Sequence, residues 1–269
     1  MKTKLIAAPY LLWMVVFILV PLLLVVYFAF TDEGGNFTLN YVADVAQYVP
    51  IFTRSIWLAL IATVICLVIA YPLAYILIGM TKNAQSTMLL IVMLPMWMNF
   101  LLRTYAWMTL LGKNGIINAV LGFVGLGPFK MLNTEGAVVL GMVYNYLPYM
   151  ILPIYSVMVK IDKSVLEAAS DLGCSPGKTM LKVVFPLSMP GVVSGITMVF
   201  VPAISTFIIS RMLCDGGNLL IGDLIEMQFL GNSYNINLGA AISLVLMVIV
   251  LLIMTIMNQF NVDDDVVLM

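Results

Sequence analysis

The chain has 269 residues, 63% of them apolar and 9% charged, with a formal net charge of −1 and no histidine. A soluble domain carries about 25% charged residues, so this composition describes an integral membrane protein. It offers no basic excess to displace counterions from nucleic acid, and it lacks the commonest general base and metal ligand.

In chain order, Lys2 and Lys4 precede an apolar run from Leu5 to Phe30. That run exceeds a signal-peptide core of about 7–15 residues and no A-x-A site follows it, so it predicts a retained first span. Windows of roughly 20 apolar residues then place six spans near 5–30, 55–80, 87–111, 136–159, 187–213 and 238–260. One all-α membrane domain over 1–269 accounts for the chain. Lys2, Lys4, Lys82, Lys160, Lys163, Lys178 and Lys182 gather on one side, while Arg54, Lys113, Lys130 and Arg211 fall on the other. The positive-inside rule therefore predicts both termini inside. Outer loops at 31–54, 112–135 and 214–237 have room for short surface helices. Cys66, Cys174 and Cys214 show no C-x-x-C spacing and read as small apolar fillers.

The third span carries Arg103, about nine residues from its outer end, or roughly 13 Å. That is near the limit of snorkelling, which predicts an inward-facing guanidinium. Asn99, Arg103 and Trp107 repeat at i, i+4, i+8 and share one helical face. In the fourth span Asn145, Pro148 and Tyr149 share another. The polar side chains on these faces are either interhelical hydrogen-bonding groups or, together with Phe207, the lining of a path. Pro148, Pro153 and Pro202 are candidate kinks.

The inner loop 160–187 is unusually polar and regularly built. Ser164 through Glu167 fits a capping box with Ser164 as N-cap. A short helix follows, which Gly173 ends in the left-handed conformation. Ser175-Pro176 opens a second helix to about Val184, and Pro186 marks entry to the fifth span. Within it, the run Gly173 to Thr179 looks like a phosphate-binding loop but has three residues between its glycines where four are needed. In the last outer loop, Asp223 and Glu226 stand at i, i+3 on a short helix over Leu219–Leu230, after a turn at Asp215-Gly216-Gly217-Asn218. They are candidates for attracting a cation or for a solvated face. Asp263-Asp264-Asp265 reads as a solvated tail. A membrane-embedded enzyme is disfavoured: there is no histidine, no metal-ligand constellation and no Ser/Lys pair at membrane depth.

Glu167-Ala168-Ala169, with Gly173 four residues on and Pro186-Leu187 thirteen beyond the glycine, resembles the EAA loop of bacterial ABC-importer permeases. Arg103-Thr104-Tyr105-Ala106-Trp107 after Pro95 and Asn99, Leu147-Pro148 with Leu152-Pro153-Ile154-Tyr155, and Leu219-Leu220-Ile221-Gly222 with Gln228-Phe229-Leu230 are similar to the spermidine/putrescine permeases, in particular their B-type subunit. The resemblance implies a type I ABC-importer permease fold in the bacterial cytoplasmic membrane. It makes the loop a coupling helix, with Glu167, Ala168, Ala169, Asp171 and Gly173 as the ATPase-docking surface. It also implies a second permease subunit, an ATPase dimer holding the ATP and magnesium, an extracytoplasmic substrate-binding protein and a polyamine substrate, with no cofactor in this chain. A polyamine is best held by carboxylates and aromatic faces. The chain offers Trp97, Trp107, Tyr144, Tyr146, Tyr149 and Phe207 but no mid-span carboxylate, so Arg103 is expected to hold helices or the partner subunit. An importer of another small solute (amino acid, metal ion or sugar) or a channel is the alternative.

Overall fold

The computed structural model describes residues 9–32, 34–214, 219–231 and 233–265. The predicted turn Asp215-Gly216-Gly217-Asn218, Lys2 and Lys4, and the side chains of Asp263-Asp264-Asp265 lie outside what it describes.

The described residues are helical, apart from turns and one isolated bridge between Thr31 and Phe37. Five helices among them are long and apolar enough to cross a membrane, or six if a bent pair counts as one span. The first is α1 (Pro9–Ala29), apolar on nearly every face. A short α2 (Asn40–Asp44) and one 3-10 turn lead into α3 (Val49–Ile78), which starts six residues before the predicted 55 because Pro50 sits in its first turn, where no N–H is needed.

The third predicted span is not one helix. α4 (Lys82–Trp97) gives way to α5 (Phe100–Leu111), and the stretch Phe100–Phe123 is bent by 89° from α4. Pro95 removes a backbone donor near the end of α4. Asn99 then starts a new helix, its side chain accepting from the N–H groups of Leu101 at 2.8 Å and Leu102 at 3.4 Å. The α6 helix (Ile116–Phe123) and a loop return the chain to α7 (Glu135–Met158), which contains Pro148 and Pro153 without interruption.

After α8 (Lys163–Asp171), the helix α9 (Pro176–Thr179) does not end at Val184 as predicted. A π turn over Met180–Val184 carries it into α10 (Phe185–Ile204), and the Phe185 N–H bonds back to Met180 O. That shift of register accommodates Pro186, which would interrupt a regular ladder. The fifth predicted span is broken at its other end: α10 stops two residues after Pro202, and α11 (Ile208–Leu213) begins beyond the break. α12 (Ile221–Leu230) and α13 (Ile236–Asp265) complete the chain.

The core is α7 packed against α3 and α10, with α1 laid on α13. Gly191 and Gly195 of α10 let the backbones of α10 and α7 approach. A Cβ at Gly191 would stand 2.8 Å from Pro153 O, and one at Gly195 would stand 2.8 Å from Met150 Sδ. Such small-xxx-small seams drive helix association in a medium that gives no hydrophobic force between helices. Polar ties close the corners. The Asn237 side chain donates to Phe28 O and Thr31 O, Arg54 pairs with Glu135 at 2.6 Å, and the hydroxyls of Tyr71 and Ser188 share a hydrogen bond of 3.0 Å.

Candidate coupling loop and mid-membrane polar cluster

At one end of the fold, α8 is a rigid, capped object. Its N-cap is Asp162 rather than the predicted Ser164: the carboxylate accepts the Ser164 N–H at 3.0 Å, and that bond holds its pKa below the usual carboxylate range. Aspartate fits there because it satisfies an orphan donor and complements the positive end of the helix dipole. At the other end Gly173 takes φ +78°. Its N–H bonds Ser170 O, and Cys174 N–H bonds Ala169 O, which is the Schellman pattern. With both ends tied and Pro176 restarting the helix, the loop is two helices at a fixed corner, as expected.

The predicted docking residues do not all face outward. Glu167, Ala168 and Asp171 are exposed, but Ala169 is buried. It lies three residues after the half-buried Leu166, on the face turned into the molecule, so it seats α8 rather than presenting a surface. Leu172, which the sequence reading passed over, is 85% exposed, and Leu181 follows it at 63%. The available signal was an apolar residue beside a glycine C-cap in a polar loop. Glu167 also borders a cleft of about 630 Å³ shared with Tyr75, Lys82, Gln85, Lys163 and Leu166. Beneath it Gln85 fixes the α3–α4 turn, donating to Met80 O and accepting from the Tyr155 hydroxyl.

The second group of predicted residues surrounds the junction of α5, α7 and α11. Asn99 is the cap of α5, so it does not continue the face of Arg103 and Trp107. Trp107 meets Tyr144 edge-to-face at 5.3 Å between ring centres. Arg103 is 8% exposed and lies over the Phe100 ring at 5.8 Å; its Nε and Nη1 are closed off with no acceptor. It is inward-facing, as expected. Asn145 is buried, donating to Gly141 O at 2.8 Å, and its Oδ1 has no partner. It therefore does not share an open face with Tyr149, which is exposed, as is Phe207 at the α10–α11 break. The Tyr146 hydroxyl donates to Pro202 O at 3.3 Å, linking α7 to that break.

Asp223 and Glu226 are not a pair of free carboxylates. Asp223 is 4% exposed and accepts the Leu220 N–H at 3.0 Å, the reciprocal half of a capping box. Burial pushes its pKa up. Glu226 pairs with Arg211 at 2.6 Å. The helix that holds them is built into the fold. A Cβ on Gly222 would meet Thr206 O at 2.5 Å, and Ser55 Oγ accepts the Ile221 N–H. A surface helix was expected here, and a buried plug over the α10–α11 break is found. Among the described residues no three His, Cys, Asp or Glu side chains gather as metal ligands, and the run Gly173 to Thr179 joins two helices with no strand before it.

Residues 3–266 match the family described as binding-protein-dependent transport system inner membrane component. The spermidine/putrescine transport system permease protein PotB of Haemophilus influenzae is 37% identical over 260 residues, covering 93% of this chain and 90% of that protein. PotB of Escherichia coli is 35% identical over 247 residues, covering 88% and 90%. Among solved structures, a bacterial ABC transporter that imports the acidic polysaccharide alginate superposes with a TM-score of 0.83 over 96% of this chain and 94% of that one, at 14% identity; this likeness speaks to the fold. A second structure of an alginate transporter, in complex with its ligand-bound periplasmic protein, gives 0.74 at 15% identity over 97% of this chain and 93% of that one. The fold is that of an ABC-importer permease, and the chain belongs to the family of binding-protein-dependent transport system inner membrane components.

Proposed function

We propose that this chain is one of two permease subunits of an ATP-driven polyamine importer, coupled to a separate cytoplasmic ATPase dimer through α8. The observation that carries the substrate class is identity of more than a third, over about nine-tenths of the chain, with permeases named for spermidine and putrescine. The coupling role rests on the loop. Exposed Glu167, Ala168, Asp171 and Leu172 present a small, partly apolar knob, while Ala169 and the two caps keep it rigid against the body.

The transmission route follows from the continuity of α9 into α10. Residues Pro176–Ile204 form one 29-residue helix, roughly 44 Å long at 1.5 Å per residue. A displacement of the corner at Gly173 is thus delivered along one continuous helix to the break before Phe207, where Tyr146 and the plug helix α12 also meet. Tyr149, Phe207 and Trp107 supply aromatic faces for an alkylammonium at that level. Asn145 is closed in the packing of α7 and bonds only its own helix at Gly141 O. The catalytic work of ATP hydrolysis falls to the partner subunits, and an extracytoplasmic binding protein delivers the substrate.

Uptake in intact cells expressing the chain with its genetic neighbours tests this reading. Labelled putrescine or spermidine uptake is expected to be competed by the other polyamine and not by amino acids, sugars or divalent metals. Competition by one of those solutes, with polyamines inert, would replace the substrate assignment.

A further inference from the structure

Arg103 is a permanent charge deep in the fold with no acceptor for two of its nitrogens. Depth is set by its neighbours. Trp107, one turn further along α5, touches Tyr144, nine residues into α7 or roughly 14 Å from its end. Nε and Nη1 are sealed, which leaves Nη2 in reach of the surface through the small exposure that remains.

Among the described residues no carboxylate pairs with Arg103. No Asp or Glu occurs between Asp44 and Glu135, between Glu135 and Asp162, or between Asp171 and Asp215, so α3, α4, α5, α10 and α11 carry none and α7 has only Glu135 at its end. Asp223 caps α12 and Glu226 is taken by Arg211. A lipid phosphate belongs to the interface, not to mid-depth, and the proposed substrate is itself a cation. Beside Arg103, Leu101, Leu102 and Tyr105 are exposed, an apolar flank suited to another helix.

We propose that Arg103 is the seat of a carboxylate carried by a membrane helix of the second permease subunit. This rests on the polyamine-permease reading above. An unpaired buried guanidinium is costly, and an acid is what a polyamine path needs and this chain lacks. In the empty transporter Arg103 keeps that acid ionised and oriented; an arriving ammonium group competes with Arg103 for it. The arginine acts as a resident stand-in for the substrate, and the acid is released to the path only when a polycation replaces it.

The test uses the whole complex, with the second permease, ATPases and binding protein, carrying R103K. A membrane-permeant carbodiimide joins a lysine amine to an adjacent carboxylate as an amide. Mass spectrometry is expected to find position 103 linked to an Asp or Glu of the second permease, in lower yield at saturating spermidine. R103M is expected to leave the permeases co-purifying while uptake falls on the order of tenfold or more. An assembled R103K complex with no such link, a link to any other molecule, or unchanged uptake by R103M would each overturn the proposal. If the unsubstituted complex shows no ATP-driven polyamine uptake, it is the underlying reading that fails instead.

Discussion

Leu172 presents 85% of its surface one residue before the glycine turn, and nothing in the isolated chain covers it. Its neighbour Ala169 is buried, so a single turn of helix divides the loop into an anchor and a knob. Leu172→Asp is expected to leave the fold intact while lowering ATP-coupled uptake by about tenfold, since a charge placed in an apolar contact costs on the order of 1–3 kcal/mol. Uptake in vesicles set against melting temperature separates the two effects. Asp223 makes a different prediction. Its pKa is raised above 3.8 by burial first and Glu226 second, against the opposing pull of the Leu220 N–H, Ser210 and Arg211. A carboxyl raised on folding contributes most at low pH, and that contribution is lost as pH climbs from 3.8 through the raised value. Asp223→Asn keeps an acceptor for Leu220 and loses the charge. Thermal melts of the detergent-purified protein are expected to show the variant equal or higher by roughly 2 °C near neutrality, with a flatter acid limb. A variant melting well below the parent at pH 7 would show that the charge itself is needed.

At the level of elements, the sequence spoke clearly wherever apolar length or a cap decided the matter. α7, the C-terminal end of α8 and the glycine turn were legible because periodicity, Gly173 and Pro176 each have one cheap conformation, whereas the N-cap fell on Asp162 and not on Ser164. The bend at Met98–Asn99 was not, because Asn99 fits a helical face as well as it fits an N-cap, and only Pro95 hinted at the choice. The π turn at Met180–Val184 and the break at Ser205 are likewise tertiary solutions to Pro186 and Pro202. The seam of α10 on α7 was readable and missed: Gly191 and Gly195 are spaced for close approach. Gly191→Ala is expected to destabilise by about 1–3 kcal/mol, because its Cβ meets backbone rather than a movable side chain. Detergent melts and expression yield report that loss. A variant as stable as the parent would mean that the seam is looser than the structure has it.

Over the whole molecule, composition marked an integral membrane protein, and the long apolar helices of the fold agree with that. Burial was beyond the reach of sequence: Ala169, Asn145 and Asp223 all sit at positions whose inward turn depends on a partner helix distant in the chain. What emerges is a lever, with a capped corner at Gly173, a 29-residue rod and a break plugged by α12. On the function proposed above, that lever moves a polyamine while a separate subunit hydrolyses ATP. Reconstitution into proteoliposomes tests that most directly, with the chain, its second permease and the ATPases in the bilayer and the binding protein outside. The account predicts spermidine accumulation that requires ATP on the ATPase side and both permeases together. Spermidine flux through this chain alone without ATP, or an active complex that hydrolyses ATP and accumulates no polyamine, would contradict it.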